Sequence, residues 1–425
     1  MDTELFAANP ELGRTSPDYV IYVPKGTDER IPDTGNEHFL VFRRKDGTFA
    51  AVWTQSGHEG QYNQHIVFAE SDASARSWSA PRIIAGEKFD PETGRDMCSW
   101  GYPLVSRSGR IYVLYSKHIG VNDVFTHTTG RLAGIYSDDN GKSWSAEAYP
   151  DFPRSEYDSP DPAMPGNCIT WQKPLRFGDG RYLAGITRWI SPARATPSDG
   201  NWIHAPSVVD FLRFENLDDD PEIPDLKLTL LTAGKSLRFP IPDDPRGNSL
   251  IQEPTLNELP DGRLFAVMRT VAGTAAWSVS ADGGESWSEP ETLRYGDGLP
   301  PVEQPLSPCP CYTLSEGEYV LFYHNHNGHY GPWTAHATET RRPICMAYGK
   351  FDPEGRQPVR FSAPLSWIDS DNIELNHRCD LAMYSSFEYV DGRLVLFFPD
   401  RKHFLVGKVI DRARLANAVF PKKRA

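Results

Sequence analysis

An eight-residue pattern, S-x-D-x-G-x-x-W, occurs twice in the chain and constrains its fold more than any other feature. The intact copies span residues 137–144 and 280–287, and an eroded copy at 71–78 keeps only the serine and the tryptophan. Each copy follows a short apolar run, so the pattern predicts a hairpin turn in which Asp accepts backbone N–H groups, Gly takes the left-handed conformation and Trp packs beneath. A turn unit repeated along one chain predicts a radial or stacked repeat architecture.

The spacing of these copies sets the number of repeats. The first two begin at Ser71 and Ser137, and the third begins at Ser280, after an interval about twice as long as the first. One intervening repeat has therefore lost the pattern. A period of roughly 66–72 residues divides the 425-residue chain into about six units. We therefore expect an all-β protein, a six-bladed β-propeller with seven blades as the alternative. It would form a single domain over residues 1–425, with an N-terminal strand near 19–23 closing the ring.

The rest of the chain reads as short strands joined by turns. Aromatic residues make up 12% of the sequence, and the 34 glycines and 36 prolines supply frequent turns. Apolar runs such as FAAVW, RIYVLYS, RYLAGIT, RLFAVMR and EYVLFYH follow Gly-containing turns, and no long stretch has helical periodicity. These runs predict hairpins throughout the chain.

Charge and cysteine content limit the partners that we expect. A net charge of −13 argues against nucleic acid as a partner. No apolar run approaches the length of a membrane span, and the N-terminus lacks the basic and apolar segments of an export signal. Six cysteines without C-x-x-C spacing are expected to be reduced thiols. These features together favour a cytoplasmic protein, and they leave its oligomeric state open.

The turn pattern is similar to the Asp boxes of the sialidase superfamily, and the similarity extends to segments that carry chemistry. The segment QEPTLNELPDGRL at 252–264 resembles the family segment with the glutamate of the catalytic pair, here Glu253. Arg269 follows this segment at the place where the family has an arginine for the substrate carboxylate. Arg342 lies where the family has its next arginine, and the segment MYSSF resembles the one with the nucleophilic tyrosine, here Tyr384.

This resemblance implies a glycosidase that acts on an oligosaccharide containing sialic acid or uronic acid. Tyr384 would be the nucleophile and Glu253 its proton acceptor, because a free phenol with a pKa near 10 is a weak nucleophile without an adjacent base. Arg269 and Arg342 would bind the sugar carboxylate, since a guanidinium fork matches a carboxylate in a way that lysine does not.

The first predicted blade departs from the family pattern. Sialidases begin it with a Phe/Tyr-Arg-Ile-Pro segment, whereas residues 35–41 of this chain contain no arginine. Arg43 and Arg44 come later, beside a turn, and are expected to face solvent. The general-acid aspartate that the family has soon afterwards is also absent, and Glu59 or His58 is the substitute that the sequence offers.

A second set of residues predicts different chemistry. His118 and His127 in the second predicted blade, with Trp171 and Arg188 in the third, follow strand-like runs and would gather at the mouth of the central channel. A β-eliminating lyase needs an arginine to neutralise a uronate carboxylate and a His or Tyr to remove the adjacent proton. These segments look similar to propeller lyases of the ulvan lyase type, although the tyrosine expected near Trp171 is absent. A lyase and a non-catalytic glycan-binding propeller therefore remain alternatives to the hydrolase.

A His-rich segment at 324–329 is the remaining candidate for special chemistry. His324 and His326 would share one face of a strand, and His329 would join them from the following turn to form a metal site. Short His-rich loops more often contact substrate or solvent. We therefore expect neither a metal nor a cofactor, with these three histidines as the open alternative.

Overall fold

The structure is a computed structural model, and it describes residues 3–26, 28–232, 234–328, 341–376, 378–381 and 383–422. Within these residues the chain forms six antiparallel sheets, which are the blades of a β-propeller. The prediction of an all-β, six-bladed propeller is confirmed.

The strands, in chain order, are β1 (Tyr19–Tyr22), β2 (Gly35–Arg43), β3 (Phe49–Ser56), β4 (His65–Ser71), β5 (Arg82–Ala85), β6 (Cys98–Val105), β7 (Ile111–His118), β8 (Gly130–Ser137), β9 (Asn167–Ile169), β10 (Leu175–Arg176), β11 (Tyr182–Trp189), β12 (Ser207–Phe214), β13 (Leu228–Leu230), β14 (Ile251–Glu258), β15 (Leu264–Thr270), β16 (Ala276–Ser280), β17 (Glu291–Thr292), β18 (Cys311–Ser315), β19 (Glu318–Tyr323), β20 (Ile344–Phe351), β21 (Val359–Phe361), β22 (Leu365–Ile368), β23 (Ser386–Val390), β24 (Arg393–Asp400) and β25 (Phe404–Val409). The helices are short: α1 (Thr3–Ala8), α2 (Arg412–Ala416) and the 3₁₀ turns Pro10–Gly13, Trp202–His204, Leu217–Asp219 and Ile223–Asp225.

Each blade is a run of neighbouring strands, except the last. Blade 1 comprises β2 to β5, blade 2 β6 to β8, blade 3 β9 to β13, blade 4 β14 to β17 and blade 5 β18 to β22. Blade 6 combines β23 to β25 with β1, whose Tyr19 lies opposite Gly407 in β25. Strands from the two ends of the chain are therefore hydrogen-bonded in one sheet.

The hydrophobic core lies between the blades. Around Trp53, for example, one cluster joins Phe39 of blade 1 to Phe397 of blade 6, with the Phe39 ring 6.0 Å from Trp53 and 6.4 Å from Phe397. Strands β2 and β3 are buried along nearly their whole length, because each inner strand is covered on both faces by neighbouring blades. Each fully buried side chain of this kind contributes about 1.5–3 kcal/mol to the stability of the ring.

The two intact copies of the turn pattern fold alike. Asp139 accepts the backbone N–H of Ser143 at 2.8 Å, and Asp282 accepts that of Ser286 at 2.9 Å. The glycine of the second copy, Gly284, has a φ of +96°, which favours glycine over a residue with a side chain. Trp287 both closes its own turn and stacks on Phe211 of blade 3, with ring centroids 4.0 Å apart. The tryptophan of the repeat therefore ties neighbouring blades together.

Three inner strands have a bulge near their start, and the three bulges lie at the same end of the ring. The register shifts once in each of β2, β6 and β14, and His38, Trp100 and Glu253 at these shifts have φ values of +53°, +58° and +54°. A bulge inserts an extra residue and re-aims a side chain, and a positive φ is strained for residues other than glycine.

The preceding blade supports two of these bulges. The N–H of Trp100 donates to the hydroxyl of Thr54 at 2.9 Å, and the N–H of Glu253 donates to that of Thr187 at 2.6 Å. Each threonine thus accepts a backbone donor that the bulge has taken out of its ladder.

The structure also bears on the cysteines and on membrane association. No two of the described cysteines form a disulfide. Burial raises the pKa of the Cys98, Cys309 and Cys311 thiols, so these three stay protonated at neutral pH. Among the helices in the described ranges, none is long and apolar enough to cross a membrane.

Candidate active site

A cavity of about 410 Å³ lies at the end of the ring where the bulges occur. Blades 4 to 6 and the segments leading into them provide a polar half of its lining: Gln252, Glu253, Arg269, Arg341, Arg378 and Tyr384. Blades 2 and 3 provide an aromatic half: Trp100, Phe125, His127, Trp189 and Trp202. Such a cavity, with one charged wall and one aromatic wall, fits a ligand that carries an anionic group and an apolar face.

Tyr384, Glu253 and Arg269 form one hydrogen-bonded group in the polar half. The phenol of Tyr384 donates to Glu253 Oε1 at 3.2 Å, and Glu253 Oε2 lies 2.9 Å from Arg269 Nη1. The same Nη1 lies 3.4 Å from the phenol oxygen, so the three side chains contact each other pairwise. The structure thus brings together three residues that lie far apart in the sequence.

Rings from three blades hold Tyr384 in place. Its ring meets His38 edge-on at 4.9 Å, and Trp100 and Trp171 at 5.9 and 6.2 Å. On another side, Lys402 Nζ lies 5.0 Å from the centre of the phenol ring. Because these neighbours are themselves buried, the phenol has little freedom to turn away from Glu253.

Burial governs the protonation of this group. Loss of solvation raises the pKa of Tyr384, and the negative charge of Glu253 raises it further. Loss of solvation also raises the pKa of Glu253, although the positive charges of Arg269 and Arg341 oppose the effect. The phenol is therefore protonated at neutral pH and hydrogen-bonded to a carboxyl group that can accept its proton.

The second arginine of the cavity is Arg341, and Arg342 lies elsewhere. The Nη2 of Arg341 donates to the Leu306 carbonyl oxygen at 2.9 Å. Arg342 instead forms a bidentate pair with Asp369, at 2.8 and 2.7 Å, and does not line the cavity. Successive residues of an extended segment point to opposite sides, so a shift of one residue separates the two arginines. The prediction of Arg342 as a cavity arginine is thus corrected to Arg341.

Glu59 lines the cavity, but its charge does not fit the role of a general acid. Burial alone would raise the pKa of Glu59, yet the positive charges of Lys402 and Arg378 outweigh it and hold the pKa well below its usual range. Arg378 Nη2 lies 3.1 Å from Glu59, and Lys402 also bonds to it. An ionised carboxylate has no proton to donate, so Glu59 acts as a counter-charge shared by these two cations. The expectation that Glu59 replaces the family's acid is not supported by this geometry.

Arg188 and His118, two residues of the lyase hypothesis, lie outside the cavity and contact other groups. Arg188 is fully buried between Asp210 and Asp158, each at 2.6 Å. His118 is buried, with Nδ1 bonded to the Thr129 carbonyl oxygen at 2.6 Å. Neither side chain lines the cavity.

The other two residues of that hypothesis lie near Tyr384. Trp171 is buried behind Tyr384 and donates from Nε1 to the Pro254 carbonyl oxygen at 2.9 Å, so it supports the site without lining it. His127 does line the cavity, stacked on Phe125, and burial lowers its pKa. The structure therefore does not bring the predicted partners Arg188 and His118 to the cavity that His127 lines.

The structure describes His324 and His326 of the His-rich segment, and the Nδ1 of His326 accepts the Gly328 N–H at 3.2 Å. His324 is buried, with Nδ1 2.9 Å from the Pro343 carbonyl oxygen and Nε2 2.9 Å from the Ser307 hydroxyl. His329 lies outside the described residues. Over the part of the chain that the structure does describe, no group of three or more metal-binding side chains occurs.

Sequence reasoning missed Arg341, Arg378, Lys402 and most of the aromatic wall. Lys402 and Arg378 lie in loops, after β24 and before β23, and no motif in the chain marks them. Phe125 and Trp202 lie in connecting segments that follow strands of blades 2 and 3, and a polar residue after a strand is the signal that the lyase hypothesis used for His127. Trp100 and Trp189 lie within β6 and β11, at the ends of these strands that border the cavity.

Comparisons with known proteins agree with this architecture. Residues 47–388 match the family described as BNR repeat-like domain. The chain belongs to this family. No curated protein matches it.

Solved structures with the same fold include two sialidase-related proteins. A Hadza microbial sialidase, Hz136, is 12% identical with a TM-score of 0.62, and the match covers 92% of this chain and 68% of the other. The leech intramolecular trans-sialidase, in complex with 2,7-anhydro-Neu5Ac, is 14% identical with a TM-score of 0.62, covering 98% and 73%. A Dyadobacter fermentans protein of unknown function is 15% identical with a TM-score of 0.60, covering 93% and 98%. At these identities the likeness shows the fold, a propeller of sialidase type.

Proposed function

We propose that the protein is a glycosidase that cleaves the bond between an anionic sugar and its leaving group, with Tyr384 as the nucleophile. The observation that carries this proposal is the hydrogen bond of 3.2 Å from the Tyr384 phenol to Glu253 in a cavity that Arg269 and Arg341 also line. A buried phenol paired with a buried carboxyl group and two guanidinium groups is the arrangement that a tyrosine nucleophile needs.

The reaction has two displacement steps. In the first, the Tyr384 oxygen bonds to the anomeric carbon, its proton passes to Glu253, and the leaving group departs with its electron pair. In the second, water attacks the same carbon and the Tyr384 oxygen leaves with the proton that Glu253 holds. The attacking water releases a proton to solvent, which balances the proton that the departed alkoxide takes up from solvent. Because burial raises the pKa of the phenol, Glu253 must take the proton during the attack and not beforehand. Two displacements at one carbon retain its configuration.

The arginines favour a sugar with a carboxylate. Arg269 and Arg341 are both buried at the cavity, and Arg378 borders it with a pairing to Glu59. Charge-assisted bonds from guanidinium to carboxylate are strong where water is excluded. Sialic acid is the first candidate, since solved structures with this fold include sialidases, and a uronic acid is the second.

The aromatic half of the cavity favours a leaving group with an apolar face. Trp202 stands at the rim with 64% of its surface exposed, and its ring meets that of Phe125 edge-on at 6.1 Å. Phe125 in turn packs on Trp189 at 5.8 Å, so the exposed indole has a firm support. A sugar ring beyond the cleaved bond would stack on this surface.

The test is the Tyr384→Phe variant assayed on a fluorogenic α-sialoside and on a matched uronide. We expect at least about a 10³-fold loss of kcat on the preferred substrate, because the nucleophile is removed. Tyr389→Phe is the matched control, since Tyr389 is an exposed tyrosine of β23, close in the sequence, and should keep full activity.

Three outcomes would contradict the proposal. Activity of Tyr384→Phe within tenfold of the parent chain would exclude the phenol as nucleophile. Product with a new ultraviolet absorbance would indicate an unsaturated uronate and a lyase. Binding of both sugars without turnover by the parent chain would indicate a non-catalytic glycan-binding propeller.

A further inference from the structure

The inner strands that begin at the candidate active site end at a second cavity. Its volume is about 510 Å³, and its lining comes from four neighbouring blades, with Glu388 from blade 6, Arg43 from blade 1, Arg107 from blade 2 and Arg176 from blade 3. Arg43 ends β2, five residues after His38, which corresponds to about 17 Å along an extended strand. The second cavity therefore lies at the opposite end of the propeller channel.

Side chains on the axis separate the two cavities. Gln172 Nε2 donates to the Tyr312 hydroxyl and to the Ser385 carbonyl oxygen, each at 2.9 Å. Next to it, Lys173 pairs with Glu388 of the facing blade. These contacts join blades 3, 5 and 6 across the channel, so a ligand of one cavity would not reach the other.

The second cavity is strongly basic. It is lined by six cations and one carboxylate, Glu388, in a chain whose net charge is −13. The cations are Arg43, Arg44, Lys45, Arg107, Lys173 and Arg176. Such a local excess of positive charge would attract an anion that the rest of the molecule repels.

Three of these cations are already neutralised by carboxylates. Arg44 is buried and lies 2.9 Å from Glu70, which corrects the expectation that it faces solvent. The Nη2 of Arg176 donates to both carboxylate oxygens of Asp218, at 2.9 and 2.8 Å, and Lys173 is paired with Glu388 as described above. Carboxylates of the protein balance the charges of these three cations, so these cations do not require an anionic ligand.

Arg43 and Lys45 are held by neutral groups. Arg43 donates to the carbonyl oxygens of Gly47, at 2.9 Å, and Tyr389, and its guanidinium lies 4.4 Å from the centre of the Phe49 ring. Lys45 donates to the Ser108 carbonyl oxygen at 2.9 Å. Neither forms an ion pair with any carboxylate among the described residues.

Arg107 adds a third cation with spare donors. It lies 3.3 Å from Asp218, the carboxylate that Arg176 already holds with two hydrogen bonds, and 71% of its side chain is exposed. Arg43, Lys45 and Arg107 therefore present positive charge that the protein itself does not balance.

We propose that this second cavity binds a small multivalent oxyanion with the chemistry of a phosphate ester. Guanidinium groups pair with phosphate through two parallel hydrogen bonds, and an ammonium group adds a point charge. Backbone carbonyls hold Arg43 and Lys45 in position before any ligand arrives, which lowers the entropic cost of binding. The volume is that of a small-molecule site, which favours a compact ligand over an acidic protein segment. This inference does not depend on the glycosidase proposal.

The experiment is a calorimetric titration of the full chain with pyrophosphate at constant ionic strength. We expect a dissociation constant below about 1 mM, and a loss of at least about tenfold in affinity for the Arg43→Gln/Lys45→Gln variant. Arg393→Gln is the control for removal of a surface charge, because Arg393 is exposed and starts β24 after a turn outside the cavity. The control should bind as the parent chain does, and thermal unfolding should show that both proteins are folded.

Other outcomes would overturn the proposal. Equal losses in the variant and the control would indicate attraction by overall charge without a site. Tight binding of a glutamate-rich peptide with no measurable binding of pyrophosphate would identify the cavity as a docking site for an acidic chain. Absence of binding by the folded parent chain to either probe would show that the cations have a structural role alone.

Discussion

Arg188 and Arg269 are two buried arginines in neighbouring blades, and their surroundings differ in a way that separates structure from chemistry. Both lie near the end of the strand that is second in the order of its sheet, β11 in blade 3 and β15 in blade 4. Arg188 has no exposed surface and lies between two aspartates, whereas Arg269 is 7% exposed and borders the cavity with one glutamate. Similar sequence positions therefore carry different roles.

The balance of charge explains the difference. The two carboxylates Asp158 and Asp210 more than neutralise Arg188, so its guanidinium attracts no further anion. Glu253 is shared between Arg269 and the Tyr384 phenol, and Arg341, which lies 3.9 Å from Asp380, adds a second guanidinium group at the cavity. The first cluster is complete by itself, and the second is suited to accept a carboxylate.

A one-residue difference in strand register produces these two environments. Arg269 comes seven residues after the turn glycine Gly262, and Arg188 comes eight residues after Gly180. Position seven after Gly180 is Thr187, and its hydroxyl accepts the N–H of Glu253. Because side chains alternate along a strand, adjacent positions face opposite ways: Thr187 contacts the bulge of the next blade, whereas Arg188 contacts Asp158 and Asp210.

The largest effect that we expect is on stability, from Arg188→Met. Removal of this cation leaves Asp158 and Asp210 buried without a counter-charge, which should cost about 3–5 kcal/mol of unfolding free energy. Urea denaturation measures the loss. Addition of Asp158→Asn and Asp210→Asn should restore most of it, and the folded triple variant should keep the parent kcat/KM. A large loss of kcat/KM in that folded variant would contradict the structural assignment.

Arg269→Gln, in contrast, should lower activity more than it lowers stability. We expect kcat/KM to fall by roughly 10²-fold, because a charge-assisted contact to the substrate carboxylate is lost, while stability falls less than in Arg188→Met. Steady-state kinetics and urea denaturation of the same preparation separate the two quantities. Arg269→Lys should recover only part of the activity, since lysine lacks the bidentate fork. Full recovery would show that charge alone matters at this position.

Arg341 and Arg342 provide a smaller contrast within one pair of adjacent residues. Arg341→Gln should lower kcat/KM by about tenfold through a higher KM, because Arg341 borders the cavity. Arg342→Gln should stay within about twofold, since it breaks only a half-exposed pair with Asp369. A larger effect at Arg342 would indicate that Arg342 binds the substrate carboxylate, as the sequence resemblance implied.

The smallest expected effect is a change in pH dependence. In the proposed mechanism Glu253 acts as a base in its ionised form. Because burial raises its pKa, activity should be lost as the pH falls through a value above the ordinary glutamate pKa near 4.5. Arg269→Gln removes a neighbouring positive charge that lowers this pKa, and the acid limb of kcat/KM should therefore move upward by about 1 pH unit. The Arg188 triple variant should leave the limb in place. An unchanged limb in Arg269→Gln would indicate that another group controls it.

Much of the fold could be predicted because its signals are local. The turn pattern at 137–144 and 280–287 forms from contacts within each eight-residue stretch, such as Ser143 with Asp139. The spacing of those turns therefore gave the correct number of blades, including blade 3, which lies between the two intact copies and lacks the pattern. Glu253, Arg269 and Tyr384 could be named because each lies in a segment that resembles a family pattern.

The rest of the site depends on contacts between distant segments. Lys402 and Arg378 contact Glu59 although they lie more than 300 residues away in the sequence, and no short motif predicts such a contact. The choice between Arg341 and Arg342 depends on which side of an extended segment faces the channel. The expectation that Arg44 faces solvent was wrong for the same reason, since its partner Glu70 is on another strand.

By itself, then, the sequence of this protein determined the repeat, the number of blades and the three central side chains. The tertiary structure decided which arginines are neutralised and which face a cavity. The physical reason is that a turn forms from the hydrogen bonds of adjacent residues, whereas the charge around a buried guanidinium is the sum over strands that meet only when the ring closes.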